Sequence, residues 1–239
     1  MSSLESAKKA RATAIPEQGI QDYGLSARLA LDDQTCNDAY GIRHASYLGG
    51  GFIDPIAGGK FSDADDLRPN ARSIVVYKHD RPVASARLCT LDYTPGLEGF
   101  DEIPASRIFP EAVAGLAAAV PHPARLTEIN RLVRHPDYAT DYHLVFVLYR
   151  FATYIVERER ADMVLSCVRR NHTPFYKRLH FNYIDGPRRY AGVKFETNLM
   201  AGPAAKYGDV ARFVGAAMGD SSHYAPLLSG ETVPVFKAA

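Results

Sequence analysis

Apolar residues recur along the chain with two periods, and the switches between them outline its elements. Leu25, Ala27, Leu29 and Leu31 occupy alternate positions, which predicts a short strand. Asp32-Asp33-Gln34-Thr35 then opens a helix expected to reach about Tyr47, and Gly49-Gly50-Gly51 stops it. Phe52 to Asn70 is rich in Gly, Asp and Pro and reads as a long loop, a class of segment that is often functional or mobile. Ser73 to Tyr77 and Pro82 to Leu91 predict a hairpin around Lys78-His79-Asp80-Arg81. Phe100 to Val120 is expected to be loop plus a short alanine-rich helix, Glu111 to Ala119.

Arg125 to Arg134 reads as the central strand, ended by Pro136. Asp141 to Arg160 predicts a helix apolar almost all round, hence largely buried. Met163 to Val168 is a buried strand and Pro174 to Leu179 a short helix. Phe181 to Ile184 and Tyr190 to Met200 are expected as antiparallel strands joined at Asp185-Gly186-Pro187. A last helix is expected over Ala204 to Met218, followed by an irregular tail. Strands and helices alternate over one sheet with parallel and antiparallel neighbours, an α+β fold with a mixed central sheet flanked by helices. The expected division is a flexible N-terminus at 1–21, one domain at 22–220 and a tail at 221–239.

Composition narrows the classes. The 239 residues are 46% hydrophobic, ample for a core. A net charge of +1 gives no global basic field for nucleic acid. Cys36, Cys89 and Cys167 form no C-x-x-C pair, and two lie in apolar strand-like runs, as reduced thiols of a cytoplasmic protein would. Met1 to Pro16 lacks the apolar core of a signal peptide, and no apolar run is long enough for a membrane span. The eight histidines show no metal-ligand spacing, so no metal site is implied.

The block His172-Thr173-Pro174-Phe175-Tyr176-Lys177-Arg178-Leu179-His180-Phe181 resembles the F-Y-x-x-x-G-F ending of GNAT-superfamily acyltransferases. Arg43 and Tyr47 on the first helix, Ala86-Arg87-Leu88, Arg107-Ile108-Phe109-Pro110 and Glu128-Ile129-Asn130-Arg131-Leu132 extend the likeness over about Ile42 to Met200. This set resembles the acyl-homoserine-lactone synthases and, more closely, the long-chain N-acyl amino acid synthases of the N-acyl-tyrosine type. The resemblance implies a GNAT-like fold and transfer of a medium or long acyl chain from an acyl carrier protein thioester to an amine, with no tightly bound cofactor. Two departures refine it. The glycine-rich loop that cradles coenzyme A pyrophosphate is replaced by Arg134-His135-Pro136-Asp137-Tyr138-Ala139-Thr140, which favours a carrier-borne pantetheine. The tryptophan and E-x-D-x-Y-D pattern of the lactone synthases is absent, with Phe61-Ser62-Asp63-Ala64-Asp65-Asp66 a poor match, which disfavours S-adenosylmethionine as acceptor.

The chemistry assigns candidate roles. Glu128 is the candidate base, directly or through water; the competing reading is an ion pair with Arg131. Residues i and i+3 face opposite ways on a regular strand, so a bulge is needed to bring the two together. Backbone N–H groups near Leu132 and Val133 are candidate oxyanion donors, with Arg131 assisting them or holding Glu128. Arg43 and Arg87 are candidates for the acceptor carboxylate, against intramolecular pairing. Tyr47, Phe52 and Phe61 are candidate pocket residues. Leu144, Phe146, Val147, Phe151 and Tyr154 could line an acyl tunnel or form plain core. Arg150, Arg158, Arg160, Arg169, Arg170, Lys177 and Arg178 form a basic cluster suited to an acidic carrier protein, or a solvated face. Tyr176 stands where many GNAT enzymes keep a tyrosine that protonates the leaving thiolate, or it packs. The competing functions are a lactone synthase, a coenzyme A-dependent acyltransferase, and a non-catalytic lipid- or partner-binding module.

Overall fold

The computed structural model describes residues 22–94, 102–190, 192–207, 209 and 221–236. Eight strands form one sheet in the order β6-β7-β5-β4-β3-β2-β1-β8. They are β1 (Asp22–Leu29), β2 (Ala71–Lys78), β3 (Arg81–Tyr93), β4 (Ala124–Arg134), β5 (Met163–Arg169), β6 (Asn182–Arg189), β7 (Glu196–Pro203) and β8 (Val233–Phe236). The helices are α1 (Asp33–Gly49), α2 (Pro104–Ile108), α3 (Pro110–Ala118), α4 (His143–Arg158) and α5 (Thr173–Arg178). All strand pairs are antiparallel except β4 with β5, whose crossover is α4. The mixed α+β architecture anticipated from the periodicity is the one observed.

Alternation along β2 sorts the two faces. Ile74 and Val76 join the core that α4 covers, whereas Val75 and Tyr77 join the one that α1 covers. Asp32 caps α1 by accepting the Thr35 N–H at 2.8 Å. Leu144, Val147, Leu148, Phe151 and Ile155 of α4 are 0% exposed. Each such side chain contributes roughly 1.5–3 kcal/mol of hydrophobic stabilisation, so α4 anchors one face of the sheet. His79 and Asp80 turn the β2–β3 hairpin with φ of 46° and 62°, conformations that Asp and His tolerate better than most residues.

Three expectations are corrected. The tail supplies a 3-10 helix (Ser221–Ser229) and the edge strand β8, paired with β1 through Ser26↔Pro234 and Ala27↔Val233. Pro234 hides this strand in the sequence, yet an edge position tolerates the missing N–H. β6 runs through Asp185-Gly186-Pro187 rather than turning there. Its register shifts mark bulges, and Gly186 has φ 124°, so these residues bend an edge strand. The connection to β7 therefore comes later and includes Tyr190. Helix α2, in a stretch expected to be loop, was concealed by its single-turn length. The expected flexible segment 1–21 lies outside the described residues. So does most of the expected Ala204–Met218 helix, of which Ala204–Lys206 forms a 3-10 turn.

Candidate active site

Parallel pairing of β4 with β5 covers Leu126↔Met163, Thr127↔Val164 and Glu128↔Leu165, and stops there. Beyond it β4 bulges. Ser85 faces Val133 while Arg87 faces Asn130, so Ala86 of β3 opposes both Arg131 and Leu132. Arg131 takes φ 50°, the left-handed conformation that accommodates the extra residue. A cavity of about 410 Å³ opens where the strands part. Its walls include Ile129 to Arg134 of β4, Cys167 to Arg169 of β5, Tyr47, Phe52, Phe146, Tyr149, Tyr176 and Phe195.

The bulge decides which way the side chains face. Leu132 packs in the α4-side core and Val133 in the α1-side core, the reverse of unbroken alternation. Arg131 thereby joins Glu128 on the α1 side. The two do not pair. Glu128 is 0% exposed; its Oε2 accepts the Ala105 N–H at 2.7 Å and its Oε1 accepts the Tyr190 hydroxyl at 3.4 Å. Burial pushes its carboxyl above the ordinary range, despite the opposing pull of the Ala105 N–H and the Arg87 charge. Glu128 is not itself part of the cavity wall. Cys167 is, and burial together with the neighbouring Glu128 carboxylate raises its thiol well above the usual value. Tyr190 links the two β4 residues, with its hydroxyl on Glu128 and its ring 5.0 Å from the Arg131 guanidinium.

Arg131 instead pairs with Asp63 at 2.6 Å and lies over Phe61 at 4.9 Å. Arg87, 0% exposed, meets Asp63 at 2.5 Å, Asp66 at 2.9 Å and the Asn130 Oδ1 at 2.9 Å. Arg43, also 0% exposed, bonds Asp66 at 2.6 Å and the Ser73 hydroxyl at 2.7 Å. Arg107 reaches Asp65 at 2.5 Å. Neither Arg43 nor Arg87 lines the cavity, so the structure gives both the intramolecular pairing that competed with carboxylate binding. The acidic partners form a 3-10 turn, Ala64–Leu67, closed by a capping box between Asp63 and Asp66. Burial would raise Asp63, but hydrogen bonds and charge from Arg87 and Arg131 outweigh it and hold its carboxyl well below the usual range. In the sequence these aspartates stood only as a poor match to the lactone-synthase pattern, with no pairing assigned to them. The available signal was three acids in four residues, facing arginines on strands that must bury them.

Tyr47, Phe52 and Phe146 reach the cavity; Phe151, Leu144, Val147 and Tyr154 do not, being packed in the core beneath α4. Phe61 lies behind the wall, edge-on to Tyr47 at 5.1 Å. Tyr176 lines the cavity. Among the basic residues, Arg150 is buried near Tyr224, and Arg169 belongs to the cavity wall. Arg170, Lys177 and Arg178 are exposed around α5. Arg158 is exposed at the far end of α4, about 22 Å from its first residue at 1.5 Å per residue.

At the other end of the cavity, Pro136–Tyr138 forms a 3-10 turn before α4. Asp141 accepts the His143 N–H at 3.1 Å, so a carboxylate of the chain already stands at the helix start. Among the described residues no group of His, Cys, Asp and Glu is placed to hold a metal ion, and no helix is long and apolar enough to cross a membrane.

No curated protein sequence matches the chain. Several solved structures share the fold. FeeM, an N-acyl amino acid synthase from uncultured soil microbes, aligns with TM-score 0.62 and 15% identity over 79% of this chain and 97% of that one. The coenzyme A-dependent acyl-homoserine lactone synthase BjaI aligns at 0.57 and 14% identity over 81% and 91%. An acyl-CoA N-acyltransferase from Pseudomonas aeruginosa aligns at 0.50 and 14% over 74% and 99%. The chain thus shares its overall fold with these proteins. The sequence model for the N-acyl amino acid synthase FeeM matches residues 38–203, which include most of α1, the bulged strand β4 and strand β5. The chain belongs to the FeeM family of N-acyl amino acid synthases and is an acyltransferase.

Proposed function

We propose that this acyltransferase joins a medium or long fatty acyl chain, delivered as an acyl carrier protein thioester, to the amino group of an amino acid. The cavity between the parted strands carries this reading. It lies where β4 and β5 part and is lined by residues of both strands together with Tyr47, Phe52, Phe146, Tyr149 and Phe195. A pantetheine arm threaded through it brings its thioester carbonyl to the bulge. There the Leu132 N–H, on the edge of β4 turned away from β3, supplies an oxyanion donor, typically worth about 10²–10³ in rate, while Val133 faces Ser85 in the β3 ladder.

The amine attacks the carbonyl carbon, the tetrahedral oxyanion collapses, and the C–S bond breaks to release the carrier thiol. Glu128 accepts the ammonium proton through water, because it lies outside the cavity wall, beside the wall residues Asn130 and Cys167. Its raised pKa suits proton acceptance near neutral pH. Tyr176 in the cavity wall is the candidate to protonate the thiolate. Phe146 and Tyr149 bound the acyl chain.

Two observations support a carrier donor. At the helix start that would face a coenzyme A pyrophosphate, the Asp141 carboxylate already accepts the His143 N–H, so like charges would meet there. Exposed Arg170, Lys177 and Arg178 lie close in sequence to the Cys167–Arg169 wall and suit an acidic carrier helix. The test compares carrier and coenzyme A thioesters of the same acyl chain as donors to amino acids. The proposal expects the carrier thioester to give the higher kcat/KM; a higher value for the coenzyme A thioester overturns the donor assignment.

A further inference from the structure

An amino acid acceptor brings a carboxylate into the cavity, and a buried anion needs a cation that is not already neutralised. Of the guanidiniums in the wall, Arg131 is engaged by Asp63 at 2.6 Å. Arg43 and Arg87 are neutralised behind it. Arg134 and Arg169 also line the cavity, and among the described residues neither has an acidic partner. They differ in surroundings. Arg134 lies over Tyr142 at 4.8 Å, beside the start of α4. Arg169 closes β5 and lies over Phe52 at 4.5 Å and Phe195 at 5.7 Å. Phe52 and Phe195 meet edge-on at 5.1 Å, and Tyr47 completes the group 6.4 Å from Phe195.

The polar partner of Arg169 is His172, whose Nε2 is 3.0 Å from Nη2. His172 is exposed, but partial desolvation and the charges of Arg169 and Arg134 lower its pKa to about 4, so it is neutral at physiological pH and, like any histidine, supplies no negative charge to Arg169. The result is a half-buried guanidinium beside two aromatic rings, with no acidic partner among the described residues.

Resting on the amino acid reading of the acceptor, we infer that Arg169 binds the acceptor carboxylate and so selects amino acids over other amines. A guanidinium so placed can meet a carboxylate in a planar, bidentate match. Phe52 and Phe195 serve the site by packing against Arg169. This assigns Arg169 to the acceptor site, and it leaves Arg170, Lys177 and Arg178 as the docking residues.

The test uses Arg169→Gln and Arg169→Lys with an amino acid and its carboxamide as paired acceptors. Native protein should prefer the amino acid by at least about tenfold, the scale of one charge-assisted pair. R169Q should raise KM for the amino acid by about ten- to a hundredfold, abolish the preference and leave KM for the acyl donor unchanged; R169K should restore part of it. A rise in donor KM with the acceptor preference intact would assign the cation to the pantetheine phosphate and overturn the inference. Equal losses with both acceptors would do the same. A second arm is calorimetric binding of an N-acyl amino acid and its amide. Native protein must bind the acid more tightly and R169Q must not, or the inference falls. Should the native protein consume no thioester with any amine, the acyl-transfer reading fails while the binding arm still decides the role of Arg169.

Discussion

Asp63→Asn removes the acid shared by two buried guanidiniums. Arg87 keeps Asp66 at 2.9 Å and Asn130 at 2.9 Å, but Arg131 loses its acidic partner while only 7% exposed. Breaking a buried pair from one side costs roughly 3–5 kcal/mol. The Asp63 side chain is 25% exposed, so solvent relieves part of this and the low end, about 3 kcal/mol, is expected. For a chain of this size that lowers Tm by roughly 6–12 °C. The pH dependence has a definite sign. The folded carboxyl titrates well below its unfolded value of about 3.9. Its contribution is therefore complete above the unfolded pKa and is lost as pH falls through the folded one. Thermal unfolding followed by circular dichroism should show a constant gap between native and variant protein from about pH 7 to 5, shrinking below about pH 4. As a control, removing the exposed Arg68–Glu102 contact at 3.4 Å should cost less than about 1 kcal/mol. A D63N cost no larger than this control, or a gap that persists undiminished in acid, would refute the network's assigned role.

Glu128→Gln should fold, because its amide oxygen can still accept the Ala105 N–H, and kcat should fall by about 10²-fold or more. The native rate should rise with pH on a limb above the free-carboxyl value of about 4.3, and the variant should lack that limb. Stability carries the same signature. A folded pKa above the unfolded one favours folding below the unfolded value and loses that contribution as pH rises through the folded value, so E128Q should gain on native protein as pH rises above the unfolded value of about 4.3. Phe146→Trp narrows the cavity and should shorten the preferred acyl chain. Each excluded methylene forfeits about 0.8 kcal/mol, near fourfold in kcat/KM, in a chain-length series.

The fold was legible because period-2 and period-3.6 runs are long and well punctuated from Leu25 to Leu179. It was hardest to read where a single residue defeats the pattern. Pro234 disguised β8, and Gly186-Pro187 marked a bulge where a turn was expected. The site was half legible. Glu128 and Arg131 could be named, and the need for a bulge followed from strand geometry. The positive φ at Arg131 that supplies it has no residue-level signal, since arginine has no special preference for that conformation. Charge pairing was the least readable layer. Arg43 and Arg87 are far in sequence from Asp63 and Asp66, and which cation is neutralised emerges only when α1, β3 and the 64–67 turn are packed together. The same packing separates Phe146 from Phe151 on α4, one facing the cavity and the other the core.

The most direct test of the account is mass spectrometry of the products formed from acyl carrier protein thioester and individual amino acids, with the coenzyme A thioester and S-adenosylmethionine in parallel. The account predicts an N-acyl amino acid and free carrier thiol in equal amounts. Release of methylthioadenosine with an acyl-homoserine lactone, or no thioester consumed with any amino acid, would contradict it.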